Sequence, residues 1–169
     1  MARLNPEHFF DQADRLVSAP PSGRPRQIDL RRAVSAAYYG LFHFCMSAVA
    51  DAFVGATRHA TDRYALVYRG VDHRTLKDVC AEARKQTPSA RYALYAPPSG
   101  FGADIQAFAT AAIELQEQRI AADYDPQRRL RASDAKLLIA TARNAIQRFE
   151  RAGGEPRATF LALLAFPPR

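Results

Sequence analysis

Asp29-Leu30-Arg31-Arg32-Ala33-Val34-Ser35-Ala36-Ala37-Tyr38-Tyr39-Gly40-Leu41-Phe42-His43 is the stretch that decides how this chain folds. Leu30, Val34, Ala37, Leu41, Phe44 and Ala48 recur in alternating steps of four and three, the helical period. Arg32, Ala36, Tyr39 and His43 recur at the same steps and share a second face. A helix apolar on most sides belongs in the middle of a bundle. One that also turns arginine, tyrosine and histidine inward is built for more than packing.

Outward from this segment the chain reads as further helices. The central one should run from about 26 to Val54 and close at Gly55, about 40 Å at the helical rise. Gly40 in its middle costs roughly 1 kcal/mol against alanine, which implies close approach of another helix backbone or of a ligand. Before it, Asn5 is the expected N-cap of a helix over 5–18, with Pro6 at its first position and Glu7 complementing the dipole. Phe9, Phe10, Ala13, Leu16 and Val17 form its apolar face, and Ala19-Pro20-Pro21-Ser22-Gly23 breaks it.

After the central helix, a short helix over Asp62 to Tyr68 is expected. Asp72 then caps one over His73 to Gln86 whose apolar side is Leu76, Val79, Cys80 and Ala83. Pro88 and Pro97-Pro98-Ser99-Gly100-Phe101-Gly102 mark a long irregular connection. A helix over Ala103 to Tyr124 stops before Pro126. Ser133 or a neighbour caps the next, which turns Leu138, Ala142, Ile146 and Phe149 inward and ends at Gly153-Gly154. An apolar tail within 157–169 gives a short helix over Thr159 to Phe166, docked on the bundle or on a partner. With no repeat and no strand alternation, the expectation is an all-α, up-down helical bundle of about five to seven helices.

A length of 169 residues fits one domain able to bury its own core. Asp51, Arg58 and similar charges interrupt the apolar runs short of the roughly 20 residues of a membrane span, so no membrane is expected as a partner. The first residues lack the apolar core of a signal peptide, and a cytoplasmic location is the default expectation. Cys45 and Cys80 fall inside helical apolar patterns and read as buried free thiols. No cysteine or histidine spacing suggests a metal site, and no cofactor is implied. The net charge is +7, and of 24 basic residues only Lys77, Lys85 and Lys136 are lysine, leaving 21 arginines. Whatever the source of that skew, arginine's planar fork matches phosphate, and excess positive charge favours a polyanionic partner.

On the 103–124 helix, Ile105, Phe108, Ala112, Leu115, Arg119 and Ala122 share one stripe, so Arg119 faces a core or an interface. A buried guanidinium requires a partner. Asp123, four residues on, is the obvious one. The plain reading is a structural Arg–Asp pair pinning this helix to the central one. Tyr38 and Tyr39 point about 100° apart, so one packs while the other reaches a polar neighbour. Arg128, Arg129 and Arg131 cluster just beyond Tyr124, as solvated charge or as a phosphate contact.

Two motifs together, Arg32 to His43 and Arg119-Ile120-Ala121-Ala122-Asp123-Tyr124, resemble the HEPN superfamily of all-helical domains over roughly residues 25 to 150. The likeness is to its small prokaryotic branch. The resemblance implies a homodimer in which Arg-x4–6-His motifs from two copies meet. Arginine there holds the scissile phosphate of RNA, and histidine moves the proton without a metal. In this chain Tyr124 stands where the histidine would be, five residues after Arg119. Arg3 and His8 have the motif spacing, but with Pro6 between them and 21 arginines such a match is expected by chance. His43 is the better imidazole, as a catalyst or as a hydrogen-bonded core residue.

The implied catalytic set is Arg119, Tyr124 and His43, with Arg32, Tyr39, Asp123, Arg128, Arg129 and Arg131 contacting nucleic acid. Three functions compete. One is an RNA- or nucleotide-binding homodimer, a ribonuclease of a toxin–antitoxin or defence system. Another is an inactive partner subunit bound to a cognate antitoxin or minimal nucleotidyltransferase through the Phe160 to Phe166 tail and the Pro-rich loop. The last is a structural dimer without ligand.

Overall fold

A computed structural model describes residues 4–18 and 23–168 of the chain. Arg3 and positions 19–22 of the breaker run lie outside the described residues. The described residues form an all-α bundle without strands: α1 (Glu7–Val17), α2 (Gln27–Phe53), α3 (Asp62–Tyr68), α4 (His73–Ala83), α5 (Ala90–Ala93), α6 (Gly102–Tyr124), α7 (Ala132–Arg151) and α8 (Gly154–Ala165). A single 3-10 turn, Ala56–Arg58, follows α2.

α2 is the axis of the fold and packs against α1, α3, α6, α7 and α8. By length and composition alone it would also suit a membrane span, yet 78% of that window is buried inside the bundle. Enclosure by neighbouring helices accounts for its apolarity. Leu30, Val34, Ala37 and Leu41 are buried as the periodicity requires. Phe44 and Ala48, on the same stripe, are only partly buried because the stripe runs off the core into a surface groove.

Gly40 is a tight contact, though with a side chain and not with a helix backbone. A Cβ there would stand 2.7 Å from Cζ of Phe10, whose ring is fully buried on α1. The expected inward faces of α4 and α7 are buried as read, including Cys80, Val79, Ile146 and Phe149. Phe108, Phe149 and Phe160 interlock, with centroids 4.8 to 5.7 Å apart. They fix α8 on the bundle, so Phe160, Leu161, Leu163 and Leu164 are core; of the apolar tail, Phe166 is exposed at 69%, edge-on to Phe53. The tail therefore does not present the protein-contact surface expected of it.

Caps explain the shifted boundaries. Asn5 Oδ1 accepts from the Glu7 amide, placing the first helical residue one beyond Pro6. Asp72 Oδ1 accepts from Thr75 as expected. At α7 it is Asp134 that accepts from the Arg131 amide, and Ser133 lies inside the helix. α4 stops at Ala83, three residues before Gln86. Gly154 opens α8, so this helix begins five residues earlier than Thr159. The Pro-rich connection holds one extra helical turn, α5.

The far end of α6 is tied to α2 by a device that periodicity does not reveal. The Arg31 guanidinium donates to the carbonyl of Ala122 in the last turn of α6 (3.0 Å) and to those of Asp125 (2.8 Å) and Arg128 (2.6 Å) in the connection beyond it. Gln27 closes the same gap with a two-way clamp on the Leu130 backbone, at 2.7 and 2.9 Å. Arg31→Ala is expected to cost about 1.5–3 kcal/mol in urea unfolding, the range for hydrogen bonds to a charged group. Arg31→Lys should recover only part of it, because one ammonium cannot span all three carbonyls.

Candidate functional site

Arg119 comes off α6 toward α2, where Tyr39 and Ser35 lie one helical turn apart. Its Nη2 donates to the Tyr39 hydroxyl at 2.7 Å. Its Nε faces Asp123 Oδ2 at 2.9 Å as an ion pair, with the N–H aimed off the oxygen. Asp123 Oδ1 in turn accepts a short hydrogen bond from Ser35 Oγ. Tyr39 and Ser35 on one helix thus hold Arg119 and Asp123 on the other. The guanidinium also lies 5.3 Å from the Tyr39 ring centroid and 5.7 Å from that of Tyr124. Burial works against the Arg119 charge, but Tyr39 and Asp123 more than offset it, and the group titrates above its ordinary value.

These side chains line a cleft of about 380 Å³, together with Ile28, Arg31, Arg32 and Ala122. Asp123 is the only carboxylate among the lining residues, against three arginines. Arg32 is exposed and makes no ion pair or hydrogen bond among the described residues. Tyr124 is 70% exposed at the rim, its ring available as a stacking surface. The arrangement suits an anion carrying an aromatic group: guanidinium forks for the charge, an open phenol ring for the plane.

Arg32, Tyr39, Arg119, Asp123 and Tyr124 are therefore brought together. His43 is not among the residues lining this cleft. Its Nδ1 is 2.6 Å from the Tyr68 hydroxyl, and its ring stacks on Phe9 with centroids 4.8 Å apart. It touches the Tyr39 ring, centroids 6.4 Å apart, and so stands one ring removed from Arg119. Helical spacing put Tyr39 and His43 on one face; one further turn along α2 carries the imidazole past the end of Arg119's reach. Arg128, Arg129 and Arg131 also lie outside the cleft lining. Arg128 donates to Gln118 at 2.6 Å, while Arg129 and Arg131 are exposed on the connection to α7.

Several residues that the sequence did not single out belong to this neighbourhood. Ser35 and Arg31 are structural partners of the cleft. His73, at the start of α4, accepts or donates with the buried Tyr38 hydroxyl at 2.7 Å, and its ring is 5.9 Å from that of Tyr39. Only the packing of α4 on α6 brings it there, and no local spacing signals that. As expected of the tyrosine pair, Tyr38 is buried while Tyr39 reaches a charged partner, although each finds a polar group.

Both imidazoles are held below the ordinary value of 6.5: His43 by burial and then by His73, His73 by burial and then by Arg119. A depressed histidine leaves stability untouched above 6.5, where folded and unfolded states are both neutral. Below that the unfolded chain takes up protons first, so stability falls with pH until the folded imidazoles also protonate. Thermal melting is therefore expected to fall as the pH drops below about 6.5. In the His43→Gln, His73→Gln double variant the slope should flatten.

Among the described residues no group of three or more histidine, cysteine, aspartate or glutamate side chains is placed to hold a metal ion. Cys45 and Cys80 are free and buried, and burial raises both thiols above their usual range. No protein-family model matches the chain, and no curated protein or solved structure does either.

Proposed function

We propose that this chain is a HEPN-type domain that binds RNA or a nucleotide at the Arg119 cleft, acting as a cytoplasmic homodimer of a toxin–antitoxin or defence system. One observation carries the reading. Arg119 is fixed by Tyr39 and Asp123 inside a cleft whose rim offers the unpaired Arg32 and the open ring of Tyr124. Phosphate oxygens fit the two guanidinium groups, and a base fits the phenol face.

In the catalytic form of this proposal, Arg119 stabilises the charge developing on a scissile phosphate while Tyr124 contacts the ribose or the leaving oxygen. A second reading, a non-cleaving subunit that partners a cognate antitoxin or nucleotidyltransferase, is favoured by the engagement of His43 with Tyr68, away from the cleft. RNA cleavage in the presence of a chelator, measured beside RNA binding for the wild type and the Arg119→Ala and Tyr124→Phe variants, separates the two. Cleavage lost in Arg119→Ala supports the ribonuclease. Binding lost without any cleavage supports the partner subunit. Identical behaviour of all three proteins removes the cleft from function.

A further inference from the structure

Two imidazoles flank the aromatic ring that holds Arg119. The Tyr39 hydroxyl accepts from the Arg119 guanidinium, whose carbon lies 5.3 Å from the Tyr39 ring centroid. The His73 ring meets the same Tyr39 ring edge-on with centroids 5.9 Å apart, and the His43 ring meets it at 6.4 Å. Backbone contacts also fix His73 relative to Arg119. Gln116, three residues before Arg119 on α6, donates to the His73 carbonyl at 3.3 Å, and Lys77 of α4 faces Glu117 of α6 at 3.9 Å. His73 thus stands beside Arg119 without lining the cleft. It is half-buried, so water can bring it a proton.

The groups facing His73 from each packed element decide which form it takes. From α2 come the Tyr38 hydroxyl, 2.7 Å from Nδ1, the Phe42 ring, 4.0 Å between centroids, and the His43 imidazole. Burial pushes the Tyr38 phenol well above its ordinary value, so it remains a neutral partner. From α6 comes the Arg119 charge. At the start of α4 itself, Asp72 favours a charged imidazole, but its carboxylate already accepts from the Thr75 amide. Arg74 and Lys77 of α4 are turned to Asp78 and Glu117. Burial and then Arg119 outweigh Asp72, and His73 is neutral at neutral pH. His43 answers to burial and to His73; its other partners, Phe9 of α1 and Tyr68 of α3, are uncharged.

Resting on the reading of the cleft as an RNA site, we infer that the Arg119 cleft takes up its anionic ligand together with a proton, and that the His73 imidazole carries that proton. A phosphate bound by Arg119 offsets the charge that opposes protonation of His73. His73 then takes up a proton at a pH where the free protein leaves it neutral. By linkage the proton favours the phosphate as much as the phosphate favours the proton, so acidification tightens binding. His43 adds no second proton in the same range, because a charged His73 opposes it.

Filter binding of an oligouridylate to the full chain at fixed salt tests this, since neither its bases nor its phosphodiesters titrate between about pH 5.5 and pH 7.5. Affinity is expected to rise by about fivefold across that range as the pH falls, the lower end of coupling between linked sites. His73→Gln should lose most of the rise. His59→Gln, which removes an exposed imidazole at the edge of the Tyr64 ring, should keep it. Imidazole chemical shifts followed against pH give the second measurement. The His73 midpoint should move up when the oligouridylate binds, and also in Arg119→Gln without any ligand. The wild-type midpoints, free and bound, decide the matter even if His73→Gln fails to fold. A His73 midpoint unmoved by binding, a rise in affinity that survives His73→Gln, or one lost in His59→Gln would each overturn the proton link and leave the cleft an RNA site. No binding at any pH would remove the RNA reading, and the proton link with it.

Discussion

Arg119→Ala is expected to lower the affinity for single-stranded RNA by roughly 10- to 100-fold, the value of one or two charge-assisted hydrogen bonds to phosphate. Filter binding at fixed salt measures it, and the dependence of affinity on salt should become shallower by about one phosphate contact. The substitution also removes the ion pair of Asp123, which keeps its hydrogen bond from Ser35, and the donor to the Tyr39 hydroxyl, so a stability loss of about 1–2 kcal/mol accompanies it. The loss stays modest because the Arg119 and Asp123 side chains keep 17% and 22% of their exposure to water.

A structural role and a binding role separate in two companion variants. Arg119→Lys retains the charge but cannot serve Tyr39 and Asp123 together, so it should recover binding only partly. Tyr124→Ala removes an exposed ring that no core contact needs, and should leave the melting temperature unchanged while weakening RNA by about 1–3 kcal/mol. If Tyr124→Ala binds RNA as well as the wild type, and Arg119→Lys matches Arg119→Ala only in its loss of stability, the pair is a structural rivet and the proposed ligand is wrong.

At Gly40 the expected sign of a substitution is opposite to intrinsic helix preference. Glycine to alanine in the middle of a helix ordinarily gains about 1 kcal/mol. Here the new methyl would stand 2.7, 2.9 and 3.0 Å from three atoms of the Phe10 ring. That ring is fully buried and carries the Arg143 guanidinium on its face, 5.2 Å from the centroid, so it has no open space to swing into. Gly40→Ala is therefore expected to destabilise by about 1–3 kcal/mol, the cost of overpacking. Phe10→Ala alone should cost about 3–5 kcal/mol. In the double variant the collision is absent, and Gly40→Ala in the Phe10→Ala background should be neutral or stabilising. Urea unfolding of the four proteins closes the cycle. A simple additive result would mean that α1 does not seat on α2 through this contact.

The fold was largely legible because its elements announce themselves locally. Three-four spacing found α2, α4, α6 and α7, and Asp72 and Asn5 marked helix starts. What escaped were features made by contacts between distant segments. The Arg31 cap joins residues about ninety positions apart, and an arginine beside Arg32 carries no mark saying which of the two will be free. His43 and Tyr39 share a face by arithmetic and their rings do meet, but the closer stacking partner of His43 is Phe9 of α1 and its hydrogen-bond partner is Tyr68 of α3. The Arg119–Asp123 pair was visible as an i, i+4 contact on α6; the Ser35 hydroxyl that completes it was hidden in the packing of α2 on α6. α8 began earlier than its apolar residues suggested, because Gly154 opens the helix where the sequence pattern placed a stop.

The Arg31 and Gln27 hydrogen bonds at the end of α6 have one further consequence. They fix the backbone that carries Arg119 and Asp123 against α2, so that this wall of the cleft is a property of the resting protein. A group that engages Arg119 meets a guanidinium already held in place, and the entropic toll on the protein side falls on the exposed Arg32 and Tyr124 side chains.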